Sequence, residues 1–83
     1  MNYLDAKDYL RIADNAYNAQ AYNECAQILK KVAQAIAFDL EALPDQRKEL
    51  TDLVCAQINR FQFCPDEALW ETVTGLNDLF RKD

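Results

Sequence analysis

Three residues in the chain, Pro44, Pro65 and Gly75, belong to the two types that turn a backbone most sharply. An all-β domain needs turn chemistry about every 8–12 positions, so a sandwich or barrel is excluded. Twelve alanines and ten leucines, both strong helix formers, take the place of turn residues. With 83 residues and a hydrophobic share of 51%, the chain is long and apolar enough for one helical domain with one core.

Apolar spacing divides the chain into four helical segments, at about 3–18, 22–41, 44–61 and 65–81. In the first, Ala6, Tyr9, Leu10, Ala13, Ala16 and Tyr17 recur at three- and four-residue intervals, with Asn2 or Asp5 available as a cap. In the second, Cys25, Ala26, Leu29, Val32, Ala33 and Ile36 form the cleanest stripe, flanked by Tyr22 and Leu40. No Gly or Pro separates these two segments. Phase does, because on one unbroken helix the two stripes would be offset by roughly 150° at about 100° per residue. One rod would then face two opposite cores, so a turn is expected within residues 18–21, making an antiparallel hairpin.

Pro44 opens the third segment at the position where a missing N–H costs nothing, and Leu50, Leu53, Val54, Ile58 and Phe61 give its apolar face. Cys64-Pro65-Asp66-Glu67 repeats that start signal. The fourth segment is expected to bury Leu69, Val73, Leu76, Leu79 and Phe80, with Arg81 and Lys82 complementing its dipole. Gly75 inside it reads as a close helix contact, or alternatively a kink. Short connections favour antiparallel neighbours, so the expected fold is all-α, a small up-and-down antiparallel bundle of four helices. Ala13, Ala16, Ala26 and Ala33 would let the first two approach closely.

Residues 9–38 resemble one tetratricopeptide unit: Tyr9, Ile12, Ala13 and Ala16 match its first helix, and Tyr22, Cys25, Leu29 and Val32 its second. Cys25 and Val32 stand where that unit carries small alanines, no proline closes it, and no second copy follows at the ~34-residue period. No family is assigned on this pattern.

The chain contains neither His nor Ser, which removes the commonest general base, metal ligand and hydroxyl nucleophile. The carboxylate pairs Asp5/Asp8, Asp45/Glu49 and Glu67/Glu71 each lie along a single helix near its start. Dipole complementarity explains them better than a two-carboxylate cleft. Cys25, Cys55 and Cys64 are odd in number and have no C-x-x-C spacing, so neither a disulfide framework nor a zinc site is written. Cys25 reads as a small buried hydrophobe, Cys55 lies off the apolar face, and Cys64 has no His to activate it. No catalytic, cofactor-binding or metal-binding residue is expected, and the chain reads as non-enzymatic. Free thiols and the absence of a leader-like N-terminus or a membrane-length apolar run point to the cytoplasm.

The net charge is −5, which disfavours direct binding to nucleic acid or anionic lipid and favours a partner protein with a basic surface. Three candidate surfaces follow. The first turn combines Asp14, Tyr17, Tyr22 and Glu24. An acidic pole gathers Asp39, Glu41, Asp45 and Glu49 with Asp5 and Asp8, partly neutralised by Arg47, Lys48, Arg81 and Lys82. Phe38, Phe63 and Trp70 break the helical pattern and could form an apolar patch for a partner or a homodimer. The expected function is stoichiometric protein binding, of the kind performed by immunity proteins or by phage inhibitors of a basic host protein. A helical adaptor or assembly subunit, binding a peptide or itself through the apolar patch, is the alternative.

Overall fold

The computed structural model describes residues 1–80. Its helices are α1 (Tyr3–Asn18), α2 (Tyr22–Phe38), α3 (Pro44–Arg60), α4 (Glu67–Gly75) and a short continuation, α5 (Asn77–Phe80). A 3₁₀ turn (Phe61–Phe63) joins α3 to α4. The protein is a small all-α four-helix bundle whose last helix is in two pieces.

Asn2 caps α1, its Oδ1 accepting the Asp5 N–H at 2.8 Å. At the other end the chain reverses in three residues. Gln20 N–H donates to Tyr17 O at 3.0 Å and Ala21 N–H to Ala16 O at 2.8 Å, the paired bonds of a Schellman motif. That motif puts one residue in the left-handed region, here Gln20 with φ 65° in place of the usual glycine. The phase change near position 20 is thus realised as a tight reversal. Tyr17 packs edge-on against Tyr22 and Lys31 reaches Tyr9, so α1 and α2 are antiparallel. Tyr3 meets Glu49 and Asp14 meets Arg60, so α1 and α3 run parallel.

Helix α2 is the hub, packing against α1, α3, α4 and α5, whereas among the described helices α1 packs against α2 and α3, with Tyr17 also reaching Phe61 of the 3₁₀ turn. The core lies between them: Ala6, Leu10 and Ala13 from α1, Cys25, Leu29, Val32, Ala33 and Ile36 from α2, and Leu50, Val54 and Ile58 from α3. Phe61, the largest fully buried side chain, closes one end with Val73 and Leu76. Burying each large apolar side chain contributes roughly 1.5–3 kcal/mol before conformational entropy is subtracted. Alanines at the α1–α2 seam, Ala13, Ala26 and Ala33, are all buried.

Several boundaries differ from the periodicity. Helix α2 ends at Phe38 rather than 41, because Asp39 leaves the helical region (φ −153°, ψ 48°). Glu41 then pairs with the chain start, its N–H donating to Met1 O at 2.9 Å, in an isolated parallel bridge with Asn2. Leu40 still packs on the core, from outside the helix. Helix α3 stops at Arg60, one residue early, and α4 begins at Glu67, two residues late. Pro44 is the first residue of α3, as its missing N–H suggests, but Pro65 precedes the cap of α4. There Asp66 Oδ1 accepts from Ala68 and Leu69 N–H.

The fourth segment breaks after Gly75, where Leu76 and Leu79 N–H groups bond three residues back, to Val73 O and Leu76 O. Nothing lies within 4 Å of where a Gly75 Cβ would stand, so the close-contact expectation fails. The residue marks the break instead. Leu53, expected in the core, is 38% exposed. The packing expected of Phe80 and the cationic last turn expected of Arg81 and Lys82 fall outside the described side chains and residues.

Candidate functional site

Residues of the first turn are engaged with the bundle itself. The Tyr17 ring lies edge-on to Tyr22 (5.1 Å) and Phe61 (5.3 Å). Its hydroxyl donates to Arg60 O at 2.8 Å. The Arg60 guanidinium stacks 4.1 Å from the same ring centroid and pairs with Asp14 and with Asn18 Oδ1 (2.9 Å). Tyr17 and Tyr22 are half-buried, Glu24 is exposed, and the Asp14 side chain is partly exposed beside Arg60. Burial raises the Tyr17 hydroxyl pKa. Tyr17 and Asp14 therefore tie α1 to the end of α3.

The acidic pole assembles as the topology requires. The start of α1, the end of α2 and the start of α3 meet there through the Asn2–Glu41 bridge and the Tyr3–Glu49 hydrogen bond (2.6 Å). Glu49 is a structural member of this pole, because Lys7 Nζ also donates to its Oε2 at 2.9 Å. Those two hydrogen bonds, from Tyr3 first and Lys7 second, hold the Glu49 carboxyl below its ordinary pKa. Asp39 lies 3.7 Å from the Met1 amino nitrogen and stays 85% exposed. Glu41 and Asp45 are exposed, as are Asp5 and Asp8, the latter 3.7 Å from Arg11. Arg47 and Lys48 are also exposed at the start of α3.

The three aromatics do not share one element. Phe38 ends α2 and is 74% exposed, Phe63 ends the 3₁₀ turn at 78%, and Trp70 lies on α4 at 39%. Phe38 borders an open groove of about 550 Å³ that also includes Tyr9, Lys31, Ala35, Asp5 and Asp39. Lys31 Nζ sits 4.8 Å from the Tyr9 ring centroid and bonds its hydroxyl at 3.2 Å.

Periodicity alone missed a surface. Tyr9 also borders two adjoining hollows, one with Ile12 and Asp8, the other with Ile28, Gln27 and Glu24. Sharing Tyr9 with the Phe38 groove, they form with it a line of open hollows, a shallow channel along the α1–α2 hairpin. On α2 its members, Glu24, Gln27, Ile28, Lys31, Ala35 and Phe38, recur at three- and four-residue spacing, opposite the core stripe. The signal was present, but Glu24, Gln27 and Lys31 among its members diluted it.

Chemistry-bearing groups are sparse. Burial raises the Cys25 thiol pKa to about 11, Cys64 sits at the core edge, and Cys55 Sγ is 3.8 Å from Asn77 Oδ1. Among the described residues, no group of three or more His, Cys, Asp or Glu side chains is arranged to hold a metal. None of the described helices is long and apolar enough to cross a membrane. Comparison with protein-family models, with curated proteins and with solved structures returns no match.

Proposed function

We propose that the protein is non-catalytic and acts by stoichiometric binding to another protein that presents a basic surface. The observation that carries this reading is the pole where Asp5, Asp39, Glu41 and Asp45 stand exposed around the junction of α1, α2 and α3. Asp5 stands on α1, Asp45 on α3, and Asp39 and Glu41 on the connection that the Asn2–Glu41 bridge ties to the chain start, a pattern that suits recognition of Arg and Lys side chains on a folded partner. The net charge of −5 adds long-range attraction toward such a partner and repulsion from nucleic acid and anionic lipid. An immunity-type protein that neutralises a basic toxin, or a phage inhibitor of a basic host protein, is the kind of molecule this describes. Cytoplasmic action agrees with cysteines that are not joined in disulfides.

Affinity capture from the source cell tests the reading with the wild-type chain and a Glu41→Lys/Asp45→Lys double variant. Both sites are exposed, so the variant keeps its fold. Capture of a basic protein by the wild type, lost in the variant and at high salt, is the expected result. Capture that survives both changes contradicts it. Exposure of Phe38 and Phe63 favours a second reading, an adaptor or self-associating subunit, in which association depends on those rings and ignores salt.

A further inference from the structure

The outside of the α1–α2 hairpin is a channel with no described helix lying in it. It runs beside α2 from Glu24 to Phe38, which at about 1.5 Å per residue is about 21 Å, four turns of helix. Its exposed apolar surface comes chiefly from Phe38 and Ile12, with Tyr9 and Ile28 half-buried and Ala35 buried beside them. Four carboxylates line it, Asp5, Asp8, Glu24 and Asp39, against Lys31 and the Met1 amino group. Asp39 is paired with the Met1 amino group and Asp8 with Arg11, which leaves Asp5 and Glu24 as the carboxylates open to a ligand. Apolar positions spaced by helical turns, with acidic groups at both ends, suit an amphipathic helix of basic charge.

We infer that this channel is the docking site for an amphipathic, Lys/Arg-rich helix of about four turns belonging to the partner protein. The inference rests on the binding function proposed above and names the element of the partner that the site takes. Apolar side chains of that helix pack on Phe38, Ala35 and Ile28, while its basic flanks meet Asp5 at one end and Glu24 at the other. A second copy of this chain is the poorer occupant, since two molecules of charge −5 repel.

The test uses a synthetic peptide of Leu, Ala and Lys, about 16 residues long, with leucines at helical i, i+3, i+4, i+7 spacing. A counterpart carries Glu in place of Lys. Titrated into the isotopically labelled chain, the Lys peptide is expected to shift the backbone amide resonances of Tyr9, Ile12, Ile28 and Phe38. Phe38→Ser and Asp5→Lys/Glu24→Lys should each weaken binding by about fivefold or more. Phe63→Ser should leave it unchanged. Shifts confined to Glu41, Asp45 and Asp52 overturn the channel but leave the basic-partner reading intact. Equal binding of the Glu peptide overturns the charge argument, and no shift with either peptide overturns the channel outright. A Phe38-dependent dimer in sedimentation would make a second copy the occupant and overturn the inference.

Discussion

Helix α2 has two stripes of recurring residues, and their fates differ. The inner one, with Cys25, Leu29, Val32 and Ile36, is fully covered by α1, α3, α4 and α5. The outer one runs from Glu24 through Ile28, Lys31 and Ala35 to Phe38, with Glu24, Lys31 and Phe38 exposed, Ile28 half-buried and only Ala35 covered. Inner positions are uniformly apolar because nothing there can hydrogen-bond, whereas outer positions alternate apolar with charged side chains, as at a wet interface. A helix that needed only solubility would have no use for a 74%-exposed phenylalanine on its outer face. The contrast separates what holds the fold from what is left facing solvent.

Leu29→Ala, at the centre of the inner stripe, breaks this contrast most severely. It should cost about 3 kcal/mol from lost burial and an unfilled cavity, measured by urea denaturation. A loss below about 1 kcal/mol would mean that the inner face is loosely packed. Gln20→Gly sharpens the contrast by relaxing the left-handed residue that sets α2 against α1. It should raise stability by about 1 kcal/mol. Gly75→Ala, in open space on a helix far from the channel, should add about 0.5 kcal/mol. Phe38→Ser on the outer stripe should change stability by less than about 0.5 kcal/mol, an effect of the opposite order to Leu29→Ala.

Smallest is the pH dependence of the Tyr3–Glu49–Lys7 cluster. The Glu49 pKa is lowered in the folded chain, so its contribution is present above the ordinary carboxylate range and lost as pH falls through the folded value. Lys7 and Tyr3 are both raised, chiefly by hydrogen bonds to Glu49, so their contributions are present at neutral pH and lost in strong alkali. Glu49→Gln should flatten the acid limb of a stability–pH curve. An unchanged limb would remove Glu49 from the account.

Much of this architecture can be read from the residues. Asn2 and Tyr3 mark the start of α1, Pro44 the start of α3, and the phase jump the reversal at Gln20. The end of α2 could not be read that way, because Leu40 keeps helical spacing from Ile36 while the chain has already turned at Asp39. Leu40 needed only to reach the core, and the non-helical backbone after Asp39 allows that too. Leu53 shares the periodicity of Val54 and Leu50, but α1 covers α3 too narrowly to bury it. At the candidate site the acidic pole follows from topology alone. The capture of Tyr17 by Arg60 joins residues 43 apart in sequence and leaves no local signal.

The account stands on the inner stripe of α2 being closed and the outer stripe open, which native-state thiol alkylation resolved by mass spectrometry tests directly. In a Phe38→Cys variant, the introduced thiol should react within about tenfold of a free peptide thiol. Cys25, buried and with its pKa raised to about 11, should react slower by about a thousandfold or more, waiting on unfolding. Equal rates at the two positions, or a protected thiol at position 38, would contradict the arrangement and remove the channel with it.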